Sequence, residues 1–157
     1  MGPSDRRRVG PVPRWLGAAL APIYRAEVNR RNRRYDRGIG VTRLEIPVIS
    51  VGNLSVGGTG KTPMVMHLVA MLLRAGRRPC IAMRGYRKPG SGEADETDAY
   101  RREFPEVPIV AQPDRLAGLR RLLSQSGRGA RPDCVVLDDG FQHRRIARDL
   151  DIVLIDA

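Results

Sequence analysis

The sequence has little lysine, few aromatic residues and no long apolar run. Only two of its 28 basic residues are lysines, and aromatic residues make up 4% of the 157. No apolar run approaches the roughly 18–20 residues that a membrane-spanning helix needs, so the sequence predicts no transmembrane segment. Two cysteines cannot build a disulfide scaffold, so Cys80 and Cys134 are expected to be small core residues of a reduced cytosolic protein.

Acidic residues are too few to balance the basic ones. The chain carries 28 Lys and Arg against 17 Asp and Glu, which gives a net charge of +11. Residues 1–45 hold 11 arginines and four acids, so +7 of the excess lies in this N-terminal arm. Such an arm is typical of contact with nucleic acid, an acidic protein or an anionic membrane surface. Arginine-biased codon usage would give the same composition without any function.

The N-terminal arm contains one apolar stretch, from Trp15 to Tyr24. Its apolar residues recur at helical spacing and five arginines follow within residues 30–37, which predicts an amphipathic helix. Two places for this helix stay open, namely a membrane interface and the surface of its own domain. A signal peptide would also begin with arginines and a short apolar run, but Arg14 and the prolines cut this run to about seven residues.

From residue 46 onward, short apolar runs alternate with amphipathic segments. Strands are predicted at 46–52, 79–83, 107–111, 134–137 and 152–155. Helices are predicted at 61–75 and 114–124, and the Gly-, Asp- and Glu-rich residues 85–99 are predicted to form a loop. Because strands that alternate with helices form parallel sheets, we expect an α/β domain over 46–157, with helices on both faces of the sheet.

A glycine-rich loop joins the first strand to the first helix. It reads Gly52-Asn-Leu-Ser-Val-Gly-Gly-Thr-Gly-Lys61-Thr62, although a strict G-x-x-x-x-G-K-[ST] motif would place a glycine at Ser55. In this context the backbone N–H groups and the helix N-terminus bind phosphate, which predicts a P-loop NTPase-like domain. Lys61 would reach the β- and γ-phosphates of ATP, and the Thr62 hydroxyl would bind Mg²⁺. The residues expected to bind the nucleotide are Ser55, Val56, Gly57, Gly58, Thr59, Gly60, Lys61 and Thr62.

An acidic pair, Asp138 and Asp139, ends the apolar run 134–137. An acid at the end of a strand beside a phosphate loop can hold Mg²⁺, directly or through water. The alternative is that both acids cap the next turn. A GTPase would carry an Asn-Lys-x-Asp motif, which is missing, and a MinD-like ATPase would have lysine in place of Val56.

Several segments together resemble the tetraacyldisaccharide 4'-kinase family. They are Ser50–Pro63 around the loop, Arg84-Gly-Tyr86, Asp138-Asp-Gly-Phe-Gln-His143 and Arg148-Asp-Leu-Asp151. The resemblance covers about residues 14–157. It implies ATP- and Mg²⁺-dependent phosphorylation of the 4'-hydroxyl of a tetraacyldisaccharide 1-phosphate in lipid A biosynthesis. It further implies a peripheral protein on the anionic, cytoplasmic face of the inner membrane, with no nucleic-acid partner.

The resemblance also implies roles for single residues. Lys61 is expected to be catalytic, and Thr62 and the acidic pair are expected to lie near Mg²⁺. The family's Gly-Asp-Glu-Pro segment, which carries a candidate catalytic base, matches Ala94-Asp95-Glu96-Thr97, so Asp95 is the candidate here. Its glycine and proline are replaced, and a solvated acidic loop is the alternative. Family members continue into a C-terminal lobe that this sequence lacks, so an incomplete enzyme is expected.

The remaining polar residues near these motifs carry weaker expectations. His143 is expected to pack structurally, and Arg84, Arg144, Arg145 and Arg148 would bind substrate phosphate or remain on the surface. Two other functions stay open. One is a different P-loop enzyme of the metallochaperone or ligase type. The other is a basic nucleic-acid-binding module, which the lack of a recognised motif and of aromatic residues disfavours.

Overall fold

The computed structural model describes residues 29–30, 32–53, 60–85, 92–127 and 129–155. These residues fall into two units, which meet in the sequence between Gly40 and Val41. In the first unit, residues 29–30 and 32–36 are helical and are called α1. The helix predicted at Trp15–Tyr24 lies outside the described residues.

The second unit alternates strands and helices, as the sequence predicts. The elements, in order, are β1 (Val48–Asn53), α2 (Lys61–Arg74), β2 (Pro79–Met83), α3 (Gly92–Glu103), β3 (Ile109–Ala111), α4 (Arg115–Gln125), β4 (Cys134–Asp138), a 3-10 turn (Gly140–Gln142) and β5 (Leu150–Leu154). Among the described residues, no helix combines the length and the apolar character needed to cross a bilayer.

The five strands form one sheet in the order β3-β2-β4-β1-β5, and every pair is parallel. β1 therefore lies between β4 and β5. In the register of the sheet, Val51 of β1 stands beside Asp138 of β4. The end of β1, where the phosphate loop begins, is thus adjacent to the strand end that carries the acidic pair.

The sheet is covered on both faces, which confirms the expected layer arrangement. Side chains along β4 alternate, so Val136 joins the core under α2 and α3, while Val135 and Leu137 join the core under α4. All three are fully buried. Both cysteines lie buried and unpaired in their strands, as expected of small core residues.

Helix α3 corrects the loop predicted at 85–99. Thr97, Tyr100 and Phe104 are all buried, and their spacing of three and four residues places them on one helical face. The charged residues that suggested a loop occupy other positions of this helix. Glu103, which lies beyond the predicted loop 85–99, is the last residue of the helix. The helix exists because its short apolar stripe packs against α2 and β3, despite a polar composition.

Hydrogen bonds stabilise the C-terminal end of α2 and the N-terminal end of α4. Gly76 adopts a left-handed backbone (φ 71°) after α2, and the N–H groups of Gly76 and Arg77 donate to Leu73 and Leu72. These two hydrogen bonds form a Schellman motif, which the left-handed backbone of the glycine permits. At α4, the Asp114 carboxylate accepts a hydrogen bond from the Ala117 N–H at 3.1 Å.

Candidate functional site

The site lies where β1, β2 and β4 end, the edge of a parallel sheet at which ligands usually bind. α2 begins immediately after Gly60, whose backbone is left-handed and which has no side chain to cap the helix. The first turn of α2 carries no acidic residue. Its unsatisfied N–H groups and its dipole therefore favour an anion. The predicted phosphate-binding residues Ser55, Val56, Gly57, Gly58 and Thr59 lie outside the described residues.

Lys61 joins the start of α2 to the two strand ends. Its Nζ lies 3.1 Å from Oδ1 of Asn53 and 3.4 Å from Oδ1 of Asp139. The Lys61 side chain is 25% exposed and that of Asp139 is 32% exposed, so this ion pair is partly shielded from water. The structure thus brings together the lysine and one of the acids that the sequence singled out separately.

Asp138 is the more deeply buried member of the acidic pair, at 4% exposure. Its Oδ2 accepts a hydrogen bond from the Tyr100 hydroxyl at 2.9 Å. Burial raises the pKa of Asp138, and the hydrogen bond from Tyr100 and the charge of Lys61 oppose this rise. Burial also raises the pKa of Tyr100, so its hydroxyl stays protonated and acts as the donor.

Asp139 forms the turn that follows β4. Its backbone is left-handed, with φ of 53°, which is uncommon outside glycine. The carbonyl oxygen of Asp139 lies 3.4 Å from the guanidinium of Arg115, a buried residue at the start of α4. This contact helps to hold the unusual turn that points the chain from the strand into Gly140–Gln142.

A third carboxylate reaches the same place from α3. The Thr62 hydroxyl donates to Oε1 of Glu96 at 3.1 Å. A cavity of about 100 Å³ opens beside these groups, and it is lined by Lys61, Met83, Arg84, Gly85, Glu96, Asp138 and Asp139.

The donor atoms around this cavity suit a hard divalent cation. Thr62 offers a hydroxyl oxygen, and Glu96, Asp138 and Asp139 offer carboxylate oxygens. Oxygen ligands of this kind are the ones that Mg²⁺ prefers. A cation would also reduce the repulsion among three carboxylates that share one cavity. Among the described residues, no group of three His, Cys, Asp or Glu side chains is close enough together to hold a metal ion by itself, so these oxygens fit Mg²⁺ only as partial ligands beside nucleotide phosphates.

Asp95 lies in α3, next to Glu96, but the position of its side chain is outside what the structure describes. Its role as base stays a prediction. His143 is half-buried, and its Nε2 has no hydrogen-bond partner among the described residues. Burial and the nearby Arg115 lower the pKa of His143, which favours a neutral ring.

Arg145 and Arg148, two of the four arginines near the motifs, form ion pairs within the chain. Arg148 lies 3.3 Å from Asp151, and its guanidinium carbon is 5.9 Å from the centre of the Phe141 ring. Arg145 lies 3.9 Å from Asp114 on an exposed surface. Through these contacts, the two arginines attach the segment after the acidic pair to Asp114, Asp151 and Phe141.

Sequence reasoning missed four residues of the site: Asn53, Glu96, Tyr100 and Arg115. Glu96 and Tyr100 are one helical turn apart, so reading 92–103 as a helix would have placed them on neighbouring positions of one face. The buried spacing of Thr97, Tyr100 and Phe104 was the available signal. No comparable signal marks Arg115, since a buried arginine at a helix start is unusual.

Comparison with known proteins gives a consistent result. The family model described as tetraacyldisaccharide-1-P 4'-kinase (LpxK) matches residues 13–157. A tetraacyldisaccharide 4'-kinase of Chlorobium luteolum is 39% identical over 144 residues, which cover 81% of this chain and 40% of that protein. The one of Aquifex aeolicus is 39% identical over 160 residues, which cover 89% and 49%.

A solved structure agrees with the sequence matches. It is LpxK from Aquifex aeolicus in complex with ATP, with a TM-score of 0.67 and 39% identity. The match covers 89% of this chain and 49% of that one. The chain therefore spans less than half the length of the curated relatives it matches.

Proposed function

The chain belongs to the tetraacyldisaccharide-1-P 4'-kinase family, and we propose that it binds ATP and phosphorylates the 4'-hydroxyl of a tetraacyldisaccharide 1-phosphate. The observation that carries the proposal is the convergence of Lys61, Glu96 and the acidic pair at one cavity, with the Thr62 hydroxyl bonded to Glu96. The similar Aquifex aeolicus protein in complex with ATP supports the choice of nucleotide. The proposal concerns the whole enzyme, of which residues 46–157 supply the nucleotide-binding part.

ATP would be held by the glycine loop and by the start of α2. The backbone N–H groups of residues 55–60 and the helix dipole favour the phosphates. Lys61 already carries its ammonium group to the strand ends, where Asn53 and Asp139 hold it. On binding, Lys61 exchanges these partners for the β- and γ-phosphate oxygens, so little reorganisation of its side chain is needed.

Thr62, Glu96, Asp138 and Asp139 would hold the Mg²⁺ that accompanies ATP. Bound Mg²⁺ would neutralise charge that develops on the phosphates. Glu96 also fixes the Thr62 hydroxyl through its hydrogen bond. Because phosphoryl transfer depends mainly on positioning and charge, these contacts would supply most of what the chain contributes.

The acceptor hydroxyl needs a group that orients it and takes its proton. We assign this role to Asp95, which precedes Glu96 in α3 and so belongs to the helix that lines the cavity. A base must come within hydrogen-bond reach of the hydroxyl that it deprotonates. The carboxylate of Asp95 would accept the proton as the 4'-oxygen attacks the γ-phosphorus.

The basic arm, residues 1–45, would meet the membrane that holds the acyl chains of the substrate. Arg30, Arg33 and Arg34 lie in α1 and Arg37 lies in the turn that follows it, at spacings of three, one and three residues that form a basic stripe. Together with Asn29 they line a groove of about 480 Å³. Such a stripe suits anionic headgroups, and because ATP is cytoplasmic we propose the cytoplasmic face of the inner membrane.

A phosphorylation assay tests the proposed function. The protein, as its gene encodes it, is incubated with ATP, Mg²⁺ and the tetraacyldisaccharide 1-phosphate in mixed micelles, and the product is analysed by mass spectrometry. We expect one added phosphoryl group that depends on both ATP and the acceptor. Binding of ATP without any phosphorylated lipid would instead favour a metallochaperone or ligase type of P-loop enzyme.

A further inference from the structure

Tyr100 is a residue that the proposed function has not yet used. Its side chain is fully buried in the core under α2 and α3, yet its hydroxyl lies 2.9 Å from Oδ2 of Asp138. A phenylalanine would fill this core position without bringing in a polar group that needs a partner. Packing alone therefore does not explain why this position carries a hydroxyl group.

The placement of Tyr100 in α3 supplies that explanation. Glu96 and Tyr100 are four residues apart and lie on neighbouring positions of one helical face. Glu96 accepts from Thr62, while Tyr100 donates to Asp138. One helix thus contacts the first turn of α2 and the end of β4, which are the two elements that carry the oxygen donors of the cavity.

We propose that Tyr100 is a positioning residue for Asp138: its hydroxyl occupies Oδ2, fixes the carboxylate plane and leaves Oδ1 as the oxygen available to the nucleotide-bound cation. This inference rests on the proposed function, since it names how the same cavity is kept in order. The buried carboxylate gains a hydrogen-bond donor at 2.9 Å. Tyr100 itself touches neither ATP nor the acceptor.

The test compares Tyr100→Phe, Asp138→Asn and the double variant in the protein as its gene encodes it. The first readout is the thermal midpoint without metal or nucleotide. Tyr100→Phe leaves a buried carboxylate without its donor, so we expect the midpoint to fall by about 2–4 °C. In the Asp138→Asn background the same substitution should shift the midpoint by a clearly different amount, because the two side chains are coupled.

The second readout is the dissociation constant of a fluorescent ATP analogue, measured with and without Mg²⁺. We expect Tyr100→Phe to weaken binding about tenfold with Mg²⁺ and by less than about twofold without it. Added to Asp138→Asn, it should change neither value further. Phe104→Leu is the matched control, since Phe104 directly follows α3 and is buried in the same core as Tyr100. It should lower the midpoint without changing the Mg²⁺ dependence.

Two results would overturn the inference. One is an unchanged Mg²⁺ dependence in Tyr100→Phe, and the other is an equal effect of Tyr100→Phe with and without Asp138. The binding readout does not involve the lipid. A parent protein that binds the analogue with Mg²⁺ but leaves the acceptor unphosphorylated would therefore contradict the proposed function, while the role of Tyr100 is decided by the binding constants alone.

Discussion

Lys61 lies between two partners at the start of α2. Asn53 Oδ1 accepts from its Nζ at 3.1 Å, and Asp139 Oδ1 lies at 3.4 Å. Because both partners come from strand ends that the sheet fixes, the ammonium group is held near the start of α2. A lysine restrained in this way loses less conformational entropy when it binds a phosphate.

Replacing Lys61 with methionine tests this arrangement. Lys61→Met keeps the length of the side chain and removes the charge, so we expect binding of an ATP analogue to weaken at least about tenfold, as measured by fluorescence titration. Arg74→Met, which removes an exposed charge from the last turn of the same helix, is the control and should bind normally. Equal binding by the two variants would contradict the role of Lys61.

The sequence predicted the charged residues of the cavity better than the residues that hold them in position. Lys61, Thr62 and the acidic pair follow from short-range motifs, which place a residue relative to its own strand or helix. Tyr100 and Arg115 could not be found in this way, because their partners are 38 and 24 positions away in the sequence. Their contacts arise only when α3 and α4 pack on the sheet.

Asp149 fixes the place of β5 at the scale of whole elements. Its carboxylate accepts from the Val48 N–H at 2.8 Å and from Arg43 at 2.7 Å, so it connects the start of β5 to the start of β1. These bonds lower the pKa of Asp149. The strand it holds lies beside the strand that leads into the phosphate loop, so its register matters for the site.

We expect Asp149→Asn to lower the free energy of unfolding at pH 7 by about 0.5–1.5 kcal/mol, with the lower end favoured because the carboxylate is partly exposed. A lowered pKa stabilises the fold above the unfolded value of about 3.9, and this contribution is lost as the pH falls through the folded value. Urea denaturation at several pH values should therefore show a deficit that shrinks in acid. Asp98→Asn, which removes an exposed ion pair, is the control. A deficit independent of pH would contradict the assignment.

The end of β1 packs closely against the turn after the acidic pair. A Cβ atom at Gly52 would lie 2.6 Å from the nearest atom of the Phe141 ring, closer than real Cβ contacts allow. Phe141 is in turn covered by Arg148. The glycine therefore allows the phosphate loop to start directly beside the turn that carries Asp139.

Gly52→Ala should displace Phe141 and lower the free energy of unfolding by about 1–3 kcal/mol, as measured by urea denaturation. Gly127→Ala is the control, because a Cβ there meets nothing within 4 Å. Adding Phe141→Leu to Gly52→Ala should recover part of the loss, since the smaller side chain vacates space. Equal stability of the two alanine variants would show that the contact is not restrictive.

The sequence predicted secondary structure correctly where an apolar run was the dominant signal. The prediction failed where a polar composition conflicted with the spacing of the buried residues. The β1, β2 and β4 strands are short apolar runs, and their position between turn signals predicts buried parallel strands. In α3 the polar composition of residues 92–98 outweighed a stripe of only three buried residues. Helix formation there depends on packing against α2 and β3, which the sequence alone does not reveal.

The positive charge of the whole molecule includes a stripe of arginines on α1 and on the turn that follows it. Arg33, Arg34 and Arg37 are exposed, and an arginine near an anionic bilayer contributes about 1 kcal/mol to binding. Replacing all three with glutamine should therefore weaken binding to anionic vesicles at least about tenfold in a co-sedimentation assay.

The control for this charge change is the triple variant Arg74→Gln, Arg120→Gln, Arg121→Gln, which removes three exposed arginines from α2 and α4. It should retain most of the vesicle binding if position matters more than net charge. Similar losses in both triple variants would contradict a specific stripe. A strong preference for duplex DNA over vesicles would favour the nucleic-acid alternative instead.

The decisive measurement is the position on the lipid to which the phosphoryl group is transferred. The protein as its gene encodes it is given ATP, Mg²⁺ and either the tetraacyldisaccharide 1-phosphate or its 4'-deoxy counterpart, and the lipid products are analysed by phosphorus NMR. We expect a new phosphomonoester at the 4'-hydroxyl of the first acceptor, none on the second, and none from Lys61→Met. Nucleotide binding by the parent protein without a new phosphomonoester on the first acceptor would contradict the proposed function.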